Sequence, residues 1–185
     1  MRSVLISTKP QWCELIANGK KNVEVRKTKP KLETPFKVYI YQTRKPVEVA
    51  FSGTGRHISE YDKTCYYTER SGKVIGEFVC DRIIDIPYSQ YFVDYYHTMP
   101  QNDLEATCLD MGHIDEYLLS KNGYGWHISD LVIYDKPKEL SEFARPCPDN
   151  VRSCAMCRRR DYTGMHCNLH IKPPQSWCYV ERSRP

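Results

Sequence analysis

The sequence predicts an α+β domain built round a mixed sheet or small barrel. Three observations carry that expectation. Short runs of alternating apolar and polar residues recur along the chain, helical stripes are few and short, and few of them sit between strands as βαβ units would require. A length of 185 residues suits one domain, taken as residues 1–185, with a cysteine-rich insertion at 145–172 before the last strand.

Ser3-Val4-Leu5-Ile6-Ser7 is a β-type run, and Thr8-Lys9-Pro10-Gln11 offers a capping box with proline in the first turn, so a helix is expected from Lys9. Trp12, Leu15 and Ile16 share one face of it, a stripe that reads as core, and Asn18-Gly19 supplies the stop. Lys21, Val23 and Val25 then alternate with Asn22, Glu24 and Arg26, a strand period that puts Glu24 and Arg26 on one face. A basic turn with Lys29-Pro30-Lys31 and Thr34-Pro35 leads to a second strand, in which Phe36, Val38 and Ile40 alternate with Lys37, Tyr39 and Tyr41. Residues 44–72 hold no period and read as a long loop or irregular hairpin. Lys73 to Ile86 is a long β candidate, with Gly76 marking a bulge or a close backbone approach. Asn102 to Cys108 and His113 to Lys121 are expected as short helices, the second with Ile114, Tyr117 and Leu118 on one face. Gly123-Tyr124-Gly125 ends that stretch. Trp126 to Tyr134 is another strand, and after a turn round Leu140 and the cysteine-rich segment the last strand runs from Ser176 to Val180.

A hydrophobic share of 41% with 27% charged residues excludes a wholly disordered chain. Apolar stretches such as Val74 to Cys80, broken by Gly76 and Glu77, exclude a membrane helix. The N-terminal apolar run of Val4, Leu5 and Ile6 is shorter than a secretory signal needs, so the expectation is a cytoplasmic protein with no membrane partner. Charge is uneven. Residues 1–37 carry nine Lys/Arg against three acids, 38–144 ten against seventeen, and 145–185 eight against three. Basic ends brought together would form a face that attracts polyanions.

Gly19-Lys20-Lys21-Asn22-Val23-Glu24-Val25-Arg26 fits G-x-K-x-x-E-x-R where a helix gives way to a strand. With the helix before it, Val74-Ile75-Gly76-Glu77-Phe78 as a central strand and Trp126-His127-Ile128-Ser129-Asp130-Leu131 late in the chain, the sequence resembles the ASCH family, a branch of the PUA-like fold, over most of residues 1–143 and 174–181. The resemblance implies a five- or six-stranded PUA-like β-barrel with flanking short helices and a cleft suited to RNA or a modified nucleoside. In that cleft Lys21 and Arg26 would supply cations to a phosphate or base carbonyl, Glu24 would orient them or accept an exocyclic amine proton, and Tyr39, Tyr41, Trp126 and His127 would stack or donate. A structural Glu24–Arg26 ion pair on one strand face is the competing reading. On the cleft reading Lys21→Ala and Arg26→Ala weaken binding and leave the melting temperature nearly unchanged.

One ASCH branch resembles amidohydrolases acting on N4-acetylcytidine, in which the motif's lysine works beside a threonine nucleophile. Glu24 holds that threonine's position here, so the mechanism does not transfer directly; Lys21 and Glu24 remain catalytic candidates, Glu24 as a general base toward water. RNA cleavage is a second enzymatic reading. His57, His97 and His127 lie on separate segments and assign no acid–base pair.

Cys147-x6-Cys154-x2-Cys157-x9-Cys167 lies in a segment with hardly any apolar residues to hold it folded. Four thiolates round a structural Zn²⁺ would supply the missing folding free energy, with Cys167-x2-His170 as an alternative second half and His166 nearby. Arg158, Arg159 and Arg160 follow the C-x2-C pair and would face a phosphate backbone. Cys13, Cys65, Cys80, Cys108 and Cys178 lack partners at metal spacing. Three functions are thus open: binding of RNA or a modified nucleotide, a hydrolase directed at nucleic acid, and a protein-interaction adaptor using the zinc loop.

Overall fold

The computed structural model describes residues 2–44, 47–49, 64–66, 69–91, 94–146 and 169–182. Cys147, Cys154, Cys157 and Cys167, with Arg158, Arg159, Arg160, His57 and His166, lie outside the described residues. In chain order the elements are β1 (Ser3–Thr8), α1 (Pro10–Ala17), β2 (Val23–Arg26), β3 (Phe36–Gln42), β4 (Val47–Val49), β5 (Thr64–Tyr66), β6 (Val74–Cys80), β7 (Ile83–Ile86), β8 (Tyr88–Tyr91) and β9 (Asp94–His97). Then follow α2 (Gln101–Ala106), α3 (Met111–Leu118), β10 (Gly123–His127), β11 (Ser129–Lys138), β12 (Phe143–Arg145), β13 (Leu169–His170) and β14 (Trp177–Arg182).

The α+β class stands, in the form of two main sheets. The larger has seven strands in the order β11-β6-β3-β1-β14-β12-β13, and the smaller runs β2-β10-β7. Among the described strands of the larger sheet only β1 and β3 pair in parallel, which makes it mixed. The strands do not close into a hydrogen-bonded ring among the described residues. Each sheet keeps two edges, and the sheets are joined where β6 turns into β7 and where β10 passes through Ile128 into β11. Two two-stranded pairs, β4-β5 and β8-β9, complete the described strands, so part of the 44–72 stretch is the irregular hairpin that its lack of period suggested.

β1 is almost wholly buried because both its faces are covered. Val4 and Ile6 enter the main core with Cys13, Ile16, Val38, Ile40, Phe78 and Trp126, whereas Leu5 enters a second cluster with Tyr39, Tyr41, Phe143 and Val180 on the opposite face. Each such side chain contributes roughly 1.5–3 kcal/mol of apolar burial. A third cluster, Val25, Ile86, Ile114 and Leu118, seats α3 against the smaller sheet.

Two glycines fix the geometry that matters. At Gly76 a Cβ would lie 2.5 Å from the Val132 carbonyl oxygen, so the close β6–β11 approach needs hydrogen there. Gly19 sits at φ 73°, and the turn it permits lets the Lys20 and Lys21 N–H groups both donate to the Leu15 carbonyl, closing α1. The capping box at the other end does not form. Lys9 is the N-cap with no side-chain bond, because the Thr8 hydroxyl instead accepts from Arg26.

Candidate functional site

Lys21 enters the fold directly after the Gly19 turn, and β2 follows two residues later. The pleat of β2 sends Val25 toward α3 and leaves Glu24 and Arg26 on the other face, opposite Trp126 and Tyr124 of β10. All three charged side chains are buried, at 2%, 7% and 4% exposure for Lys21, Glu24 and Arg26. Glu24 is shared between the cations: Oε2 lies 3.4 Å from Lys21 Nζ and Oε1 lies 2.8 Å from Arg26 Nη2. Lys21 Nζ also donates to the carbonyls of Val23 at 2.9 Å and Thr107 at 2.7 Å. Arg26 spans the gap between sheets, with Nη1 donating to the Ser176 carbonyl at 3.0 Å and Nη2 to the Ser7 carbonyl at 3.0 Å.

This triad lines a cavity of about 770 Å³, within the size range of small-molecule sites. Trp12 and Tyr117 form aromatic parts of its wall. Lys21 Nζ lies 5.4 Å from the Trp12 ring centroid, and Lys27 Nζ lies 5.0 Å from that of Tyr117. Pro173, Pro174 and Gln175, the stretch leading into β14, close another side, and His113 and Glu116 of α3 stand on the wall with Tyr117. Asp110 caps α3 by accepting from the His113 N–H at 2.8 Å, and that bond holds its carboxyl below the usual carboxylate range. Burial pushes the Tyr117 phenol up, as it does the Cys13 thiol behind the triad, with the Glu24 charge adding to the effect on Cys13. Neither supplies an anionic nucleophile near neutral pH.

Lys21, Glu24 and Arg26 are therefore brought together on one cavity and are also ion-paired with one another. The expectation that Lys21 or Arg26 can be truncated without loss of stability does not survive their burial. The aromatic candidates are placed elsewhere. Tyr39 packs against Phe143 with ring centroids 4.9 Å apart, and Tyr41 is buried in the same second cluster. Trp126 is fully buried in the main core, 5.7 Å from the Phe36 ring and 6.0 Å from that of Trp177. His127 hydrogen-bonds Asp81 at 2.6 Å on the corner between sheets. None of these four lines the cavity. His97 is buried between Asp115 and the Lys121 carbonyl, a satisfied structural histidine.

Trp12 and Tyr117 were hidden in plain helical stripes. The sequence stripe places Trp12 in the core, yet the buried face of α1 is Pro10, Cys13 and Ile16, and Trp12 sits at its margin. Tyr117 follows Ile114 by three positions but is 38% exposed. Among the described residues no cluster of three or more metal-ligating side chains occurs, and no helix is long and apolar enough to cross a membrane.

A mixed sheet flanked by short helices gives this chain the fold of ASCH proteins of known structure. It superposes on the crystal structure of ASCH from Zymomonas mobilis with a TM-score of 0.53 and 16% identity, covering 97% of this chain and 87% of that one. A tyrosine-to-phenylalanine variant of that protein gives 0.53 and 15% over 98% and 91% of the two chains, and a serine-to-alanine variant 0.53 and 15% over 98% and 89%. No protein-family model and no curated protein matches the chain.

Proposed function

We propose that this chain is an ASCH-type domain that binds RNA or a modified nucleotide in the cavity above β2. The observation that supports the reading is the convergence of a buried Lys21–Glu24–Arg26 triad and two aromatic rings on one cavity. Bases stack on aromatic faces, and a carboxylate fixed between two cations presents oriented acceptor lone pairs to a base edge. Lys21 acts as a fixed positive charge, since its three protons go to two carbonyls and Glu24. Trp12→Ala removes a stacking surface worth about 1–3 kcal/mol per base, so RNA affinity is expected to fall by roughly 5- to 150-fold. Because Trp12 stands at the helix margin, the melting temperature should move little. Fluorescence anisotropy with a labelled single-stranded RNA checks both halves, and undiminished affinity would remove Trp12 from the site.

We propose in addition that Cys147, Cys154, Cys157 and Cys167 hold a structural Zn²⁺, which would present Arg158, Arg159 and Arg160 to the same polyanion. The spacing of the pairs and the apolar-poor composition support it. Freshly purified protein is expected to carry about one equivalent of zinc by elemental analysis, the ratio of one ion to four ligands. Less than about a tenth of that would discard the site.

A further inference from the structure

We infer that the loop leaving β2, residues 27–31, is a second binding surface beside the cavity, so that the ligand is a single strand several nucleotides long and not a mononucleotide. This rests on the nucleotide reading above and decides between the two ligands that it leaves open. Lys27, Lys29 and Lys31 are all exposed, whereas Pro30, between the last two, is buried. The track starts at the cavity, because Lys27 belongs to its wall. From there four other elements hold the loop. Lys27 Nζ lies over the Tyr117 ring of α3, and Lys29 Nζ lies 4.6 Å from the ring centroid of Tyr124 on β10 and 3.2 Å from Asp85 Oδ1 of β7. On β14, Trp177 Nε1 donates to Thr28 Oγ1 at 2.9 Å, and the Tyr179 hydroxyl accepts from the Lys31 N–H at 2.7 Å.

Exposed lysines are ordinarily a solvated face, free to sample many rotamers, and a ligand that orders them works against that freedom. Here the backbone of the loop is pinned and two of its ammonium groups are already placed over rings, so less order remains to be imposed on binding. An ammonium over an aromatic face keeps its N–H groups for a phosphate oxygen, since the ring attracts the charge without supplying a lone pair. Asp85 does not close the track. Its pair with Lys29 has side chains 73% and 44% exposed, and solvent screening leaves such a pair weak enough for a phosphate to share the lysine. Within residues 27–33 the three lysines stand against Glu33 alone, an excess that selects a polyanion. An acidic polypeptide would answer the lysines but bring no base to Trp12 and Tyr117 on the adjoining wall, whereas a single strand supplies phosphates and unstacked bases together.

The test titrates the full chain by calorimetry, over a series of salt concentrations, with adenosine and cytidine monophosphates and with oligoadenylates and oligocytidylates of two to six nucleotides. At least one hexanucleotide is expected to bind about tenfold more tightly than its monophosphate, with a steeper dependence on salt. The double variant Lys29→Gln, Lys31→Gln should weaken the hexanucleotide roughly tenfold at physiological salt and flatten its log–log salt slope by about 1.4, two phosphate contacts at about 0.7 each on a single strand. Its monophosphate affinity and melting temperature should stay those of the parent, because both side chains are exposed and Lys31 bonds Tyr179 through its backbone. Lys136→Gln, an exposed lysine of β11, should change neither affinity nor slope. Equal affinity for monophosphates and hexanucleotides would overturn the track and leave the cleft reading standing. A gain with length that the double variant does not reduce, or that Lys136→Gln reduces as much, would overturn the assignment to this loop. Polyglutamate competing as well as RNA would overturn the nucleic-acid occupant. Binding of hexanucleotides alone, lost in the double variant, would uphold the track and overturn the nucleotide site in the cavity, and absence of binding by every probe would overturn both readings.

Discussion

Glu24→Ala is expected to cost about 3–5 kcal/mol of folding stability, the loss typical of removing one partner from a buried ion pair. The size follows from what remains. Lys21 and Arg26 would stay in the wall at 2% and 4% exposure, two like charges with their shared carboxylate gone. The carbonyls of Val23, Thr107, Ser7 and Ser176 would still accept from them but carry no compensating charge. Urea denaturation measures the change as a lower midpoint at unchanged slope. Glu24→Gln keeps the shape and one acceptor and should lose less. A loss under about 1 kcal/mol for Glu24→Ala would match an exposed pair and contradict the burial of the triad.

Trp126→Ala should destabilise the chain by about 3–5 kcal/mol, as deleting a large buried aromatic does, whereas Trp126→Phe should cost far less. The contrast rests on two facts. The ring is wholly buried among Phe36, Trp177 and the aliphatic residues of the main core, so alanine leaves a cavity there. Its Nε1 has no hydrogen-bond partner, so phenylalanine forfeits volume but no bond. Thermal unfolding of the two variants decides it. If Trp126 were instead a stacking residue in an open cleft, alanine would lower RNA affinity at nearly unchanged stability, which is the opposite pattern. Trp12→Ala is the matched control, with the two effects exchanged.

Much of the fold was legible in the chain. The period change after Gly19 located α1 and β2, the alternation from Phe36 located β3, and Gly76 marked the close approach of β6 to β11. The cysteine-rich segment stood out by composition alone. Less visible was the number and closure of the strands, since pairing is a long-range choice that local pattern does not record. Trp126 to Tyr134, one continuous run in the sequence, divides at Ile128 between two sheets.

By itself the sequence determined that Lys21, Glu24 and Arg26 would share one locality, because a glycine-closed helix followed by a strand fixes their relative positions within a few residues. Which aromatic rings would join them was decided only by the tertiary structure. Alternation along a strand divides residues between two faces without saying what covers each, and in this fold Phe143 and its neighbours bury the face of Tyr39 and Tyr41 while the main core takes Trp126. The rings left at the cavity, Trp12 and Tyr117, sit at the edges of helical stripes, where a rotation of the helix against its sheet settles whether a side chain meets core or ligand.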